Sequence, residues 1–174
     1  MFETMEKIYI IEQSIGCYSD RHDCPFKAFK SYVNAKAECD RLNKEMNDIQ
    51  SAFDKVEDRD HIEGCINTVK EQIFKDRRPD LFDKWYQIWH SENSYSWNDE
   101  AEGIEEEYYE LTDEAEKNID DFISIATKMN CFSKEVLNNM KSYLVYLNNC
   151  EGGNLYDGVP SYYVSEQGID LIVE

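Results

Sequence analysis

Apolar residues concentrate in β-branched and aromatic runs at the two ends of the chain. Residues 7–13 and 26–32 predict two strands, and the polar residues 16–23 predict a turn between them. We expect these two strands to pair antiparallel. Residues 162–164 and 169–173 predict strand structure again, so both ends of the chain are expected to contribute to one sheet.

Between these runs, apolar residues recur every three or four positions, which is the period of an amphipathic helix. The pattern predicts helices over about 35–56, 60–75, 81–89, 113–129 and 134–150, with a loop at 91–104. Residues that can accept hydrogen bonds from a free helix N-terminus precede four of these helices, and we predict them as N-caps: Asn34, Asp80, Thr112 and Ser133. Gly152 and Gly153 are expected to end the last helix.

This order of elements predicts an α+β fold. The expected sheet is small and antiparallel, built from residues 7–31 and 161–173, and the helical region covers residues 34–150. About four helices are expected as an insertion after the first long helix. The chain has no Gly-, Ser- or Pro-rich linker, so residues 1–174 are predicted to form a single domain.

The two ends carry a pattern that resembles known proteins. Tyr18-Ser19-Asp20 follows the first strand, and Ala35, Ala37, Glu38 and Cys39 lie in the helix after the second strand. Together with the terminal strand, this pattern resembles a class of small proteins of unassigned function from bacteriophages and bacteria. The resemblance covers residues 7–43 and 162–173. It implies a phage or mobile-element origin, and it supplies no catalytic residues.

The net charge of the chain bears most directly on its expected partners. The sequence holds 37 acids against 18 Lys and Arg, a net charge of −19, yet 41% of its residues are hydrophobic and 13% are aromatic. Acidic disordered tails contain few aromatics, so this charge is expected on a folded body. Such a body repels nucleic acid and anionic membranes. We therefore expect a basic protein as partner, and no direct contact with nucleic acid or membrane.

Residues 99–121 contain twelve of the acids and a single base, Lys117, a net charge of −11. One interpretation is a solvated helix face, which is what most charge runs are. The other is a surface that imitates the phosphates of DNA and occupies the site of a nucleic-acid-binding protein. Tyr108 and Tyr109 would add apolar contact area. The predicted binding residues are Glu105, Glu106, Glu107, Glu110, Asp113, Glu114, Glu116 and Asp120.

A calcium loop is a third interpretation of the same stretch. If Gly103 takes the sixth position of an EF-hand loop, Asn98 takes the first and Tyr109 the twelfth. The first position should be Asp and the twelfth a bidentate Glu. The match is poor, and we expect no cofactor.

The six cysteines bear on the compartment and on a different function. The N-terminal residues are acidic and no long apolar run follows, so we expect neither export nor a membrane span, and we predict a cytoplasmic protein with reduced thiols. Cys17, His22 and Cys24 lie close together, and thiolate and imidazole are zinc ligands. A small metal-binding protein or enzyme using this loop is therefore the alternative function.

No catalytic motif identifies a reaction. The chain lacks a Gly-rich phosphate loop, the H-E-x-x-H zinc motif and the G-x-S-x-G nucleophile motif, so we predict that it is not an enzyme. An aromatic group remains, which is either core or an exposed interface anchor: Phe82, Tyr86, Trp85, Trp89 and Trp97. Three basic residues near the end of the second helix are expected to stabilise it, because positive charge interacts favourably with a helix C-terminus: Lys75, Arg77 and Arg78.

Overall fold

A computed structural model describes residues 6–16, 21–90, 98–150 and 158–169. It confirms the α+β class, with a three-stranded antiparallel sheet and six helices among these residues. The elements are β1 (Glu6–Ile15), β2 (His22–Phe29), α1 (Tyr32–Phe53), α2 (Arg59–Arg77), α3 (Pro79–His90), α4 (Asp99–Lys117), α5 (Ile119–Met129), α6 (Lys134–Asn149) and β3 (Ser161–Ile169). The helix number is one more than the sequence pattern predicts.

The chain divides into two compact units. The first contains residues up to 55 together with those from 146 onward, and the second contains residues 56–145. The single domain over 1–174 stays a prediction, and the two units are described separately below.

The sheet of the first unit has the order β2-β1-β3, so the two ends of the chain do share it. β1 pairs antiparallel with both neighbours, and Ile11 lies opposite Lys27 on one side and Val164 on the other. The predicted bounds of β2 were wrong, because the strand begins at His22 and ends at Phe29. The register of the β1–β2 pair shifts between Ile11 and Glu12. Ile11 lies opposite Lys27 and Glu12 opposite Pro25, so a β-bulge accommodates one extra residue of β2, Phe26.

α1 packs on the sheet through a small core. Ile11, Cys39 and Leu42 form its centre, with Phe29, Tyr162 and Val164 packed against them. Asn43 of α1 also pairs with the backbone of Tyr162: its amide donates to the carbonyl at 2.8 Å and its oxygen accepts from the N–H at 2.9 Å. A helix side chain thus satisfies backbone groups of the edge strand β3.

The predicted helix starts were partly wrong. α1 begins after Ser31 rather than Asn34, and α3 begins at Pro79, which places Asp80 inside the helix. Proline suits the first helical position because the N–H it lacks would have no partner there. Ser133 was predicted correctly, since its hydroxyl accepts from the N–H of Val136 at 3.2 Å. Tyr18, Gly152, Gly153 and residues 170–173 lie outside the described residues.

The second unit is helical, and its buried positions on α2 are those that the sequence predicts: Ile62, Cys65, Ile66, Val69 and Ile73. An aromatic cluster completes this core. Phe74 meets Trp85 and Tyr108 edge-on, and Trp85 stacks on Tyr108 with ring centroids 4.4 Å apart. Ile104 joins them, so α2, α3 and α4 share one core.

The prediction for residues 91–129 needs the largest correction. Residues 99–104 are the first turns of α4 and not a loop, and Asn98 is their N-cap, accepting from the N–H of Ala101 at 3.0 Å. Thr112 is buried in the middle of α4, where its hydroxyl donates to the carbonyl of Tyr108 at 2.8 Å. The expected single helix is two, because Asn118 ends α4 and caps α5.

Among the described residues, none of the helices combines the length and the apolar composition needed to cross a membrane.

Candidate protein-binding site

α4 carries most of the acid run and has two distinct faces. Its inner face is buried at Ala101, Ile104, Tyr108, Thr112, Ala115 and Glu116. The spacing of three and four residues keeps these positions on one side of the helix. Most of the acidic residues consequently point to solvent.

The outer face presents a dense array of carboxylates. Four exposed acids follow one another at intervals of four residues: Glu102, Glu106, Glu110 and Glu114. We call these four the acidic row. None of them has an ion-pair partner within the described part of the chain. Asp99, Glu105 and Asp113 flank the row, and their side chains are exposed or half-buried.

This array approaches one strand of DNA in charge density. From Asp99 to Glu114 the helix rises about 22 Å, so the row with Asp99 and Glu105 places one charge per ~4 Å. A single DNA strand carries one phosphate per ~3.4 Å, and the duplex one per ~1.7 Å. The linear charge density of the helix is therefore slightly below that of a single strand and somewhat less than half that of the duplex.

Four of the predicted binding residues are engaged in ion pairs. Glu107 pairs with Arg78, and Asp120 of α5 pairs with Lys141 at 3.0 Å. Lys70 lies 2.9 Å from Glu116 and 3.7 Å from Asp113. Glu105, Glu106, Glu110 and Glu114 have no ion-pair partner among the residues that the structure describes.

Glu116 differs most from the expected exposed site residue. Only 9% of the residue is exposed, and burial raises the pKa of its carboxyl despite the opposing effect of the Lys70 ammonium. Glu116 therefore belongs to the interior of the second unit, and we do not assign it a direct contact with a partner.

The two tyrosines of the run have different environments. Tyr108 is buried, and burial raises the pKa of its hydroxyl, to which the nearby Glu71 carboxylate adds. Tyr109 remains 47% exposed. Only Tyr109 can supply the contact area that the sequence suggested for both.

The calcium-loop interpretation is wrong. Asn98 is the N-cap of α4, and residues 99–109 are helical. An EF-hand site needs a loop that wraps around the ion, with a sharp turn at its sixth position. A straight helix at Gly103 cannot bring positions one to twelve around one cation.

The loop proposed for zinc is described only in part. His22 and Cys24 lie on β2, and the thiol of Cys24 is 3.8 Å from the carbonyl of Gln13. Cys17 lies outside the described residues. Within the residues described, no three His, Cys, Asp or Glu side chains are grouped so that they could hold a metal ion.

The predicted aromatic group divides between core and surface. Trp85 is 4% exposed, whereas Tyr86 and Trp89 are each 46% exposed. Phe82 is half-buried against the core, and Trp97 lies outside the described residues. The core interpretation is therefore confirmed for Trp85, and the interface-anchor interpretation stays a prediction for the exposed Tyr86 and Trp89.

Two of the three basic residues predicted to complement the C-terminal end of α2 lie in its last turn. Lys75 and Arg77 lie in the last turn of α2. Arg78 follows the helix, and its guanidinium, 2.7 Å from Asp80, lowers the pKa of that carboxyl.

Beside the acidic face, α2, α3 and α4 line an open cleft of about 220 Å³ that the sequence did not predict. It is lined by Asn67, Lys70, Glu71, Trp85, Trp89, His90, Tyr108 and Tyr109. We call it the aromatic cleft. Its residues come from three helices and are far apart in sequence, so no local pattern in the sequence predicts it.

Two polar features distinguish the aromatic cleft from a plain core defect. The indole N–H of Trp85 is buried and finds no hydrogen-bond partner in the part of the chain that is described. Glu71 Oε1 and His90 Nε2 are 3.1 Å apart at the cleft wall. The Glu71 carboxylate beside an aromatic wall makes this cleft a candidate ligand site.

Comparison with known proteins adds nothing to this description: no protein-family model, curated protein or solved structure matches the chain.

Proposed function

We propose that the chain is a non-enzymatic inhibitor that binds a basic, nucleic-acid-handling protein through the outer face of α4. It would act on enzymes of the restriction or CRISPR type by occupying the channel that receives DNA. The acidic row carries this proposal. Its carboxylates are exposed and have no ion-pair partner among the described residues, and together with the flanking Asp99 and Glu105 they approach the charge spacing of a DNA strand.

The arrangement supports a binding role better than a merely solubilising one. The chain possesses lysines and arginines near the run, yet these pair with Glu100, Glu107, Glu116 and Asp120, and leave the row uncompensated. A concentrated field of one sign destabilises a fold by self-repulsion. The same field accelerates association with a basic surface. A binding function would explain why the chain concentrates this destabilising self-repulsion on the outer face of α4.

The experiment measures cleavage of duplex DNA by a panel of purified restriction endonucleases and RNA-guided nucleases, with the protein added in stoichiometric excess. The test variant reverses Glu106, Glu110 and Glu114 to Lys. The matched control reverses Asp48, Glu57 and Asp83 to Lys, which are also exposed acids but lie on other parts of the chain. Both variants change the net charge by the same amount.

The proposal predicts that at least one nuclease is inhibited by the wild type and by the control variant. The test variant with Glu106, Glu110 and Glu114 reversed, called the row variant below, should inhibit that nuclease at least about tenfold less potently, because the charges at the contact have been reversed. Absence of inhibition across the panel contradicts the proposal. So does equal loss of potency in the two variants, since that result would follow from net charge alone.

A further inference from the structure

The aromatic cleft has the composition of a site for a cationic side chain. Trp89 and Tyr109 are the exposed parts of its wall, and Trp85 and Tyr108 are its buried part. We propose that the aromatic cleft binds an arginine side chain of the basic partner, an inference that rests on the proposed function. Planar guanidinium groups stack on aromatic faces and pair with carboxylates in a bidentate manner.

Glu71 supplies the negative charge that an arginine requires. Its Oε1 accepts from His90 Nε2 at 3.1 Å. Its other oxygen, Oε2, has no hydrogen-bond or ion-pair partner in the part of the chain that the structure describes. The carboxylate is therefore held in position by the imidazole and keeps acceptor capacity for an incoming guanidinium.

The cleft favours a cation over an anion in spite of Lys70. That ammonium is 2.9 Å from Glu116 and 3.7 Å from Asp113, so two carboxylates already surround it. An anionic ligand would have to compete with both. A cationic ligand is instead attracted by the Glu71 carboxylate and by the excess of acidic side chains around the cleft.

The size of the cleft fits one side chain rather than a larger molecule. Its volume of about 220 Å³ is below the range of about 300–1,000 Å³ that is common for small-molecule pockets. Tyr109 also connects it with the acidic face of α4, because Glu106 of the row and the flanking Glu105 and Asp113 lie three or four residues from it. A basic segment lying along α4 would thus bring a side chain to the cleft.

The experiment titrates the protein with three short peptides at constant ionic strength: acetyl-Gly-Arg-Gly-amide, its lysine analogue and its citrulline analogue. Citrulline has nearly the shape of arginine but no charge. Binding is followed by the NMR signals of the tryptophan indole N–H groups. We expect the arginine peptide to bind about threefold tighter than lysine and at least about tenfold tighter than citrulline.

Two substitutions locate the site. Trp89→Ala and Glu71→Gln should each weaken binding of the arginine peptide by about tenfold or more, since they remove the stacking surface and the counter-charge. Tyr32→Ala, an exposed aromatic of the first unit, and Glu63→Gln, an exposed acid of α2, are the matched controls and should leave it unchanged. Near-ultraviolet circular dichroism checks that every variant remains folded.

Equal binding of the arginine and citrulline peptides overturns the inference, and so does unchanged binding by the folded Glu71→Gln variant. Either result leaves the nuclease assay of the acidic row unaffected, because that assay does not involve these substitutions. Conversely, peptide binding at the cleft in a protein that inhibits no nuclease would contradict the proposed function and leave a cation site in place. The two proposals can therefore fail separately.

Discussion

At the scale of single residues, Glu116 shows how burial alters the role of an acid. Its pKa is raised above the ordinary value of 4.5, mainly by burial, so the folded chain holds the proton more tightly than the unfolded chain does. A group of this kind favours folding as the pH falls toward 4.5 and loses that contribution as the pH rises through the folded pKa.

The variant Glu116→Gln removes this titration. We expect the unfolding free energy of the wild type, minus that of the variant, to be larger at pH 5 than at pH 7. Urea denaturation at the two pH values measures it, and subtraction cancels the protonation of the many surface acids. A constant difference would show that Glu116 ionises as readily in the folded chain as in the unfolded one, and a larger difference at pH 7 would show that it ionises more readily; either result contradicts a raised pKa.

Asn43 is a second residue whose effect should be local and measurable. Asn43→Ala removes both hydrogen bonds to the backbone of Tyr162 and exposes an edge of β3. We expect a loss of about 1–3 kcal/mol in unfolding free energy, since two backbone groups lose their partners. Asn47→Ala, at an exposed position of the same helix, is the control and should change stability by less than about 0.5 kcal/mol.

At the scale of elements, α4 defines the candidate site, and its start is open to a direct test. Gly103 lies inside the helix, and a Cβ added there would meet nothing within 4 Å. Gly103→Ala should raise the unfolding free energy by about 0.5–1 kcal/mol, because alanine loses less backbone entropy in a helix.

Substitutions at two other glycines serve as references for the stability of the Gly103→Ala variant. Gly64→Ala, within α2, should stabilise by a similar amount, because there too a Cβ would meet nothing within 4 Å. Gly158→Ala should destabilise, because its φ of +68° lies in the left-handed region. If Gly103→Ala is neutral while Gly64→Ala stabilises, residues 99–104 are not helical in solution.

The comparison of sequence and structure is most instructive at this element. The pattern predicted α1, α2 and β1 well, because their apolar residues form unbroken stripes, whereas the bounds of β2 were wrong. It missed the first half of α4, where Ala101, Ile104 and Tyr108 do keep helical spacing. The acids around these positions obscured the apolar stripe. Thr112 misled the prediction as well, because threonine often caps helices but here lies buried inside α4.

The site was predictable to a lesser degree than the fold. The charge density of residues 99–121 could be read from composition alone. Which acids remain unpaired could not, since Lys70, Arg78, Lys84 and Lys141 reach the run from other helices. The aromatic cleft depends on the same long-range packing, so a single sequence contains no local signal for it.

At the scale of the whole molecule, the net charge of −19 should make stability depend on salt. Screening shortens the reach of charges from about 30 Å at 0.01 M to about 8 Å at 0.15 M salt. We expect the melting temperature to rise over this range, because repulsion among acids outweighs the exposed ion pairs.

The variant that reverses Glu106, Glu110 and Glu114 tests the source of this effect. Its net negative charge is smaller, so its melting temperature should rise less with salt than that of the wild type. Differential scanning fluorimetry in sodium chloride and in potassium chloride separates screening from binding of a particular ion. A wild type whose melting temperature falls with added salt would mean that attractive pairs dominate.

The most direct measurement of the central claim is the association rate constant between this protein and the nuclease that it inhibits most strongly, at about 0.05 and 0.2 M salt. The account predicts fast association at low salt that slows steeply as salt rises. Reversal of Glu106, Glu110 and Glu114 should slow it by at least about tenfold at low salt and change the dissociation rate far less. Prior saturation of the nuclease with duplex DNA should block binding. If the row variant associates as fast as the wild type at low salt, or if DNA does not compete, α4 presents only a solvated face and the claim is wrong.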